Sequence, residues 1–410
     1  MSRHVVIVND SSTARGGATG LALLSARMLR ARGIDVTLFT GDDGGNPELA
    51  EIGVEVVPVG GARLLQQPKW QAATAGLYNT QARDALAALI AERDTPATVY
   101  HVHVWSQILS PSIFTALQKV APRVLAHAHD LFLACPNSVF TDYKRGVPCR
   151  RRPLGLDCLT TNCDKRSYVH KLWRVARHAG LLRAFDQRLD WGGIAIIHPG
   201  MVPLMELGGY AAERLHVVRN PVTPYTDHRI EAERNDRLLF VGRVEADKGV
   251  RELVAAAAQA EMPLTVAGEG ALRAELEAAH PEVAFAGWQD RAGIARLAAR
   301  ARAVVVPSRH AEPFGLVVAE ASQSGLPVLV ANSALLAPEI VDNGLGLGFD
   351  MARPGDLAAA LQRFRALSDD AVARISRRGF DRVVALANTP ESWIGDLLGL
   401  YDGMSGRGLS

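Results

Sequence analysis

Two glutamates eight residues apart, Glu312 and Glu320, flank a strand-to-helix turn. An apolar run ends at Pro307-Ser308, and Arg309-His310-Ala311-Glu312-Pro313-Phe314-Gly315 follows as a loop before a helical pattern that carries Glu320. At helical rise the gap is on the order of 10 Å. One carboxylate can then meet sugar hydroxyls at the loop while the other accepts bonds from a ribose further along the helix. The N–H groups of Phe314, Gly315 and Leu316 between them would face a diphosphate, because a helix N-terminus favours negative charge. The blander readings are a helix-surface Glu320 and a helix-start acid at Glu312. Upstream, a strand ends in Gly242-Arg243, and Lys248-Gly249 opens the next helix. Guanidinium, ammonium and backbone N–H groups converging there suit a pyrophosphate. Two solvated cations are the alternative.

The first half carries fewer such residues. Arg15-Gly16-Gly17-Ala18-Thr19-Gly20 opens a helix after the first strand. It is not a G-x-G-x-x-G fingerprint, but Gly16 and Gly17 let backbone approach a phosphate or sugar closely. A later strand leads to His129-Asp130, and His101 and His103 alternate along another strand end.

The second-half motifs resemble the E-x7-E signature of retaining glycosyltransferase family 4, of the GT-B fold and the bacterial polysaccharide-biosynthesis type. Glu312 to Glu320 with Pro313-Phe314-Gly315 carries the likeness. Gly242-Arg243, Lys248-Gly249, Ala267-Gly268-Glu269-Gly270, Gly287 and Gly325-Leu326-Pro327-Val328 extend it. The resemblance implies a hexosyltransferase that moves a sugar from a nucleoside-diphosphate donor to a hydroxyl of a glycan or lipid-linked glycan, with retention. It implies catalytic roles for His129, Glu312, Arg243 and Lys248. It implies donor contacts from Gly16, Gly17, Gly242, Gly268, Phe314, Gly315, Leu316 and Glu320. No D-x-D triplet occurs, so no catalytic metal is expected. A nucleotide-sugar epimerase of similar shape and a non-catalytic protein binding an anionic ligand are the alternatives. Nucleic acid is not an expected partner, since no recognisable nucleic-acid module is present. The donor base, its sugar and the acceptor stay open.

Short β-branched runs alternating with helical patterns must position these residues, which implies parallel α/β sheets. Strands are expected at Val5–Asn9, Ile34–Thr40, Val54–Pro58, Val99–Val104, Val124–His127, Ile194–Ile197 and His216–Val218. After a Pro-rich linker they resume at Leu238–Val241, Leu264–Ala267, Val283–Ala286, Ala303–Val306 and Pro327–Val330. The fold class is α/β, with two Rossmann-like, doubly wound domains expected to face each other across a cleft. The first spans 1–221 with a cysteine-bearing insertion at 134–166, and the second spans 222–389. A C-terminal helix at 390–410 either packs on the second domain or crosses back to the first.

At 410 residues the chain is long for one core, and its 48% hydrophobic and 21% charged residues are ordinary for a globular protein. Net charge is +2, yet Thr141 to Asp190 holds twelve Lys/Arg against five Asp/Glu, a local +7. With Tyr143, Tyr168, Trp173 and Phe185 interspersed, that segment suits an anionic surface, either a membrane face or simply solvent. The first apolar run, Val5 to Val8, is too short for a signal peptide, so the expectation is a cytoplasmic chain, peripheral at the inner membrane face. Cys135, Cys149, Cys158 and Cys163 all fall in one 29-residue window rich in Pro, Gly and Arg. A structural zinc shaping the acceptor side is expected there, with two disulfides or an iron–sulfur cluster as alternatives.

Overall fold

The computed structural model describes residues 3–14 and 16–404. The chain divides into two compact units. The first comprises the residues up to Phe140, Arg150–Val218 and those from Glu391 on; the second comprises Thr141–Cys149 and Arg219–Pro390.

The first unit is built on a seven-stranded sheet. Its strands are β1 (His4–Asn9), β2 (Asp35–Thr40), β3 (Glu55–Pro58), β4 (Thr98–Val102), β5 (Val124–Ala128), β6 (Gly193–Ile196) and β7 (Leu215–Val217). Their order is β3-β2-β1-β4-β5-β6-β7, and every pairing is parallel. Strands buried on both faces read as continuous apolar runs, and Val5, Ile7, Val99, Val124 and Leu125 are all buried. Three helices matter below: α1 (Gly17–Arg30), α2 (Lys69–Leu77) and α3 (Tyr168–Ala184). Ser167 caps α3 by accepting from the His170 N–H.

The second unit is built on a six-stranded sheet of β8 (Arg237–Val241), β9 (Leu264–Ala267), β10 (Ala284–Gly287), β11 (Ala301–Val306), β12 (Val328–Ala331) and β13 (Gly346–Phe349). They run in parallel in the order β10-β9-β8-β11-β12-β13. Helix α4 (Val250–Gln259) follows β8, and α5 (Leu316–Gln323) follows β11. In both sheets the chain starts centrally, moves to one edge and returns to build the other. That reversal opens a crevice at the carboxyl ends of the central strands.

The last helix, α6 (Pro390–Met404), packs on the first unit. Trp393, Ile394, Leu397, Tyr401 and Met404 are buried there with Val5, Leu21, Val36 and Leu125. Each large apolar side chain so buried contributes roughly 1.5–3 kcal/mol, which fixes α6 as part of that core.

Candidate functional site

In the second unit the loops after β8 and β11 lie side by side because those strands pair. Lys248 stands at the end of the β8 loop, and Glu312 in the β11 loop. Lys248 Nζ donates to Glu312 Oε1 at 3.0 Å, and Ser308 Oγ donates to Glu312 Oε2 at 2.6 Å. Burial alone would push the Glu312 carboxyl up, but the Lys248 ammonium and the Ser308 hydroxyl hold it below the usual carboxylate range. Glu312 is thus ionised and rigid, with both oxygens engaged.

Glycines let these loops approach. Gly249 takes φ +69°, and a Cβ there would sit 2.1 Å from the Pro307 carbonyl oxygen. A Cβ on Gly268 would sit 1.8 Å from the Gly242 oxygen. Gly242, Gly268 and Gly287 are laced together by backbone bonds, Gly242 N–H to Ala267 O and Gly268 N–H to Gly287 O. The protein's own packing therefore requires glycine at 249 and 268.

Arg243 lies on the same rim, more than half exposed, with Glu245 at 2.7 Å and Asp247 at 3.8 Å. Gly315 caps α5 with φ +70°, Leu316 is the first helical residue, and Phe314 is buried beneath them. Glu320 sits apart from the Lys248–Glu312 pair, on α5, with Arg291 Nη1 4.0 Å away and the buried Tyr225 phenol beside it. Burial pushes its carboxyl up, and Arg291 opposes the shift. A broad open groove lined by Arg237, Thr265, Ala284 and Arg302 lies at the amino ends of the strands. Its Arg302 is already paired with Asp369. The carboxyl edge is the better candidate for an anion.

The first unit presents its own carboxyl edge. Asp10, just after β1, accepts the N–H groups of Gln107, Ile108 and Leu109 at 2.6, 2.9 and 2.8 Å. Its carboxyl is nonetheless raised by burial, against those bonds. Asp130, following His129, is pushed up to about 6 by burial, with the Phe132 N–H and Arg177 opposing. Between these acids Arg177, from α3, is packed over the rings of Trp105, Trp173 and Phe132 at 5.5, 5.5 and 5.9 Å. Sequence reasoning missed Asp10, Arg177 and Ser308. Only the apolar company of Arg177 on its helix could have singled it out. His129 hydrogen-bonds to His103, Nε2 to Nδ1, at 2.9 Å. At the α1 start, Gly17 is the first helical residue, and a Cβ on Gly16 would meet nothing within 4 Å. Arg15, in the same loop, lies outside the described residues.

Residues 226–381 match the family described as glycosyl transferases group 1.

That span contains Gly242, Arg243, Lys248, Gly268, Glu312, Gly315 and Glu320. Glycogen synthase of Mycobacterium tuberculosis is 31% identical to the chain over 185 residues, which cover 42% of this chain and 44% of that protein. The chain thus matches less than half the length of this curated relative. Sucrose-phosphate synthase from Thermosynechococcus elongatus superposes with a TM-score of 0.69 at 19% identity, covering 99% of this chain and 100% of that one. Anabaena HepE in complex with UDP and glucose gives 0.65 at 16% identity, over 98% and 99%. The chain has the GT-B fold of these glycosyltransferases.

The group 1 match ends well outside the cysteine segment. Of the four cysteines expected to hold a structural zinc, two meet a buried ammonium: Lys171 Nζ lies 3.2 Å from Cys158 Sγ and 3.3 Å from Cys163 Sγ. Among the described residues, the group with ligand atoms within 4.8 Å of one another is His101, His103 and His127. Asn137 Nδ2 binds the Cys163 carbonyl at 3.0 Å. Burial raises the Cys135 thiol to about 11. Side-chain packing and Lys171 hold this segment together. Among the described residues, no helix is long and apolar enough to cross a membrane.

Proposed function

We propose that the chain is a glycosyltransferase that moves a sugar from a nucleoside-diphosphate donor to a hydroxyl of a glycan or lipid-linked glycan, with retention. One observation carries the reading. Lys248 and Glu312 form a close pair beside the N-terminus of α5, inside the region matching group 1 glycosyltransferases. Glu312 takes one of the three ammonium N–H groups, so the others can turn to phosphoryl oxygens. Arg243 adds a second cation on the same rim, and the α5 N-terminus adds partial positive charge. Together they stabilise the charge that develops on a leaving diphosphate. Glu312, held ionised, offers its lone pairs to sugar hydroxyls, and Glu320 stands further along α5 in reach of a ribose. The chain contains no D-x-D triplet, so the reading assigns leaving-group stabilisation to these cations. The solved complex of HepE with UDP and glucose supports a nucleoside-diphosphate sugar as the ligand class. The first unit, with His129 at its carboxyl edge, takes the acceptor. Measuring consumption of UDP-, GDP- and ADP-sugars with and without glycan acceptors tests this. Acceptor-dependent release of nucleoside diphosphate supports it; an altered donor sugar with no acceptor points to an epimerase.

The membrane face belongs to the same reading. Leu156, Val169 and Trp70 expose 80, 75 and 69% of their surface on neighbouring elements of the first unit. Trp173 of α3 donates to the Ala73 carbonyl of α2, and Tyr168 donates to the Leu159 carbonyl, which ties these elements together. Lys69 precedes Trp70 in the chain and Lys165-Arg166 closely precede Val169, and each basic group near an anionic leaflet contributes about 1 kcal/mol. Exposed apolar side chains with basic residues close by in the chain suit an anionic lipid surface carrying a lipid-linked acceptor. Co-sedimentation with anionic vesicles at low salt is the test.

A further inference from the structure

Lys171 is among the most deeply buried large side chains, with 1% of its surface exposed. A buried ammonium is ordinarily paired with a carboxylate. Here its hydrogen-bond partners among the described residues are two sulfurs, Cys158 Sγ at 3.2 Å and Cys163 Sγ at 3.3 Å. Asp164, next to Cys163 in the chain and fully buried, is taken by Arg174 at 2.9 Å. Local structure holds the three groups in place. Cys158 lies in the short helix Leu156–Thr160, and Lys171 lies in the first turn of α3. The Tyr168 hydroxyl donates to the Leu159 carbonyl at 2.6 Å, which fastens that short helix to α3. Asn137 Nδ2 donates to the Cys163 carbonyl at 3.0 Å, which fixes the backbone of the second cysteine.

We propose that Lys171 and one of these cysteines form a site of oxidative modification, closed by dioxygen into an Nζ–O–Sγ bridge. Nitrogen and sulfur are already in contact, so a single oxygen atom can span them with small side-chain movements. The ammonium first gives up one proton. The step is then Cys–SH + Lys–NH2 + O2 → Cys–S–O–NH–Lys + H2O. The S–H bond, one N–H bond and the O–O bond break, and the S–O and O–N bonds form. The second oxygen leaves as water with the two displaced hydrogens. Sulfur and nitrogen each give up two electrons, and dioxygen takes all four. Burial selects the oxidant. Cys158 and Cys163 are 7 and 6% exposed, which admits a diatomic gas, whereas thiol–disulfide exchange needs an approach to the sulfur. Either sulfur can close the bridge, because both reach the same nitrogen. Closed onto Cys158, it ties the helix that exposes Leu156 to the helix that exposes Val169. The proposal does not rest on the transferase reading.

Peptide mapping by mass spectrometry tests it, on full-length protein kept under dithiothreitol and on the same protein held in oxygen-saturated buffer. The expected product has gained one oxygen and lost two hydrogens. It joins the peptide of Lys171 to that of Cys158 or Cys163, and it reverts with dithiothreitol. Thiols counted after unfolding without reductant fall from four to three. Lys171→Met should keep all four after the same exposure. Three results would overturn the proposal. One is a Cys158–Cys163 disulfide, which brings the sulfurs to about 2.04 Å; it costs two thiols, adds no oxygen and forms in Lys171→Met as well. Another is an unmodified Lys171 with four thiols after prolonged exposure. The third is stoichiometric zinc held by these sulfurs. The wild-type map decides by itself if the variant does not fold.

Discussion

Lys248 and Glu312 lie 64 residues apart in the chain and 3.0 Å apart in the fold. Lys248→Ala removes the cation nearest the expected diphosphate. Transfer should fall about 10²–10³-fold, the cost typical of losing one preorganised charge-stabilising donor. Turnover within a few-fold of wild type, measured as diphosphate release, would remove Lys248 from the donor site.

The same pair predicts an acid response. Glu312 is held below its ordinary value in the fold, so its contribution to stability is present above the unfolded carboxylate value. It is lost as pH falls through the folded value. Lys248→Met removes the largest influence that holds this value down. The stability gap between wild type and variant, followed by circular dichroism, should therefore be widest near neutral pH and narrow as pH falls through the carboxylate range.

Asp130 predicts the opposite sign. Its carboxyl, raised by burial from 3.8 to about 6, stabilises the fold fully below the lower value and less as pH rises through the upper one. Asp130→Asn should flatten the dependence of the unfolding midpoint on pH between about 4 and 6. An unchanged slope in thermal scans would contradict the burial of this group.

Gly268→Ala should unfold the rim of the second unit. Its Cβ would lie 1.8 Å from the Gly242 carbonyl oxygen, backbone that cannot rotate away. A loss of at least about 2 kcal/mol in denaturant unfolding is expected. Gly16→Ala, whose Cβ meets nothing, should leave stability within about 0.5 kcal/mol.

Much of the architecture is legible in the sequence because buried parallel strands are continuous apolar runs. Val5–Asn9, Leu264–Ala267 and Pro327–Val330 announce β1, β9 and β12 in this way. Strand β13 escapes notice because Gly346-Leu347-Gly348-Phe349 has no β-branched residue and takes its pairing from β12. At the site, residue types indicate the chemistry but not the partners. Lys248 and Glu312 each read as contacts to a ligand, and only the pairing of β8 with β11 shows that they bind one another. Gly268 reads as room for a donor, yet the Gly242 carbonyl already requires it. The cysteine window does bring Cys158 and Cys163 to one point in space, around the Lys171 ammonium. Lys171, which nothing in the spacing marks, takes the central position.

The central claim is that the Lys248–Glu312 rim drives transfer from a nucleoside-diphosphate sugar. The most direct measurement is nucleoside diphosphate released by the wild type and by Glu312→Gln, with each donor sugar, in the presence and absence of glycan acceptor. Glu312→Gln keeps the shape and removes the charge. The account predicts acceptor-dependent release by the wild type with one donor and a loss of about 10²-fold or more in the variant, with its fold intact. Equal release by both proteins, or release by neither with any donor, would contradict it.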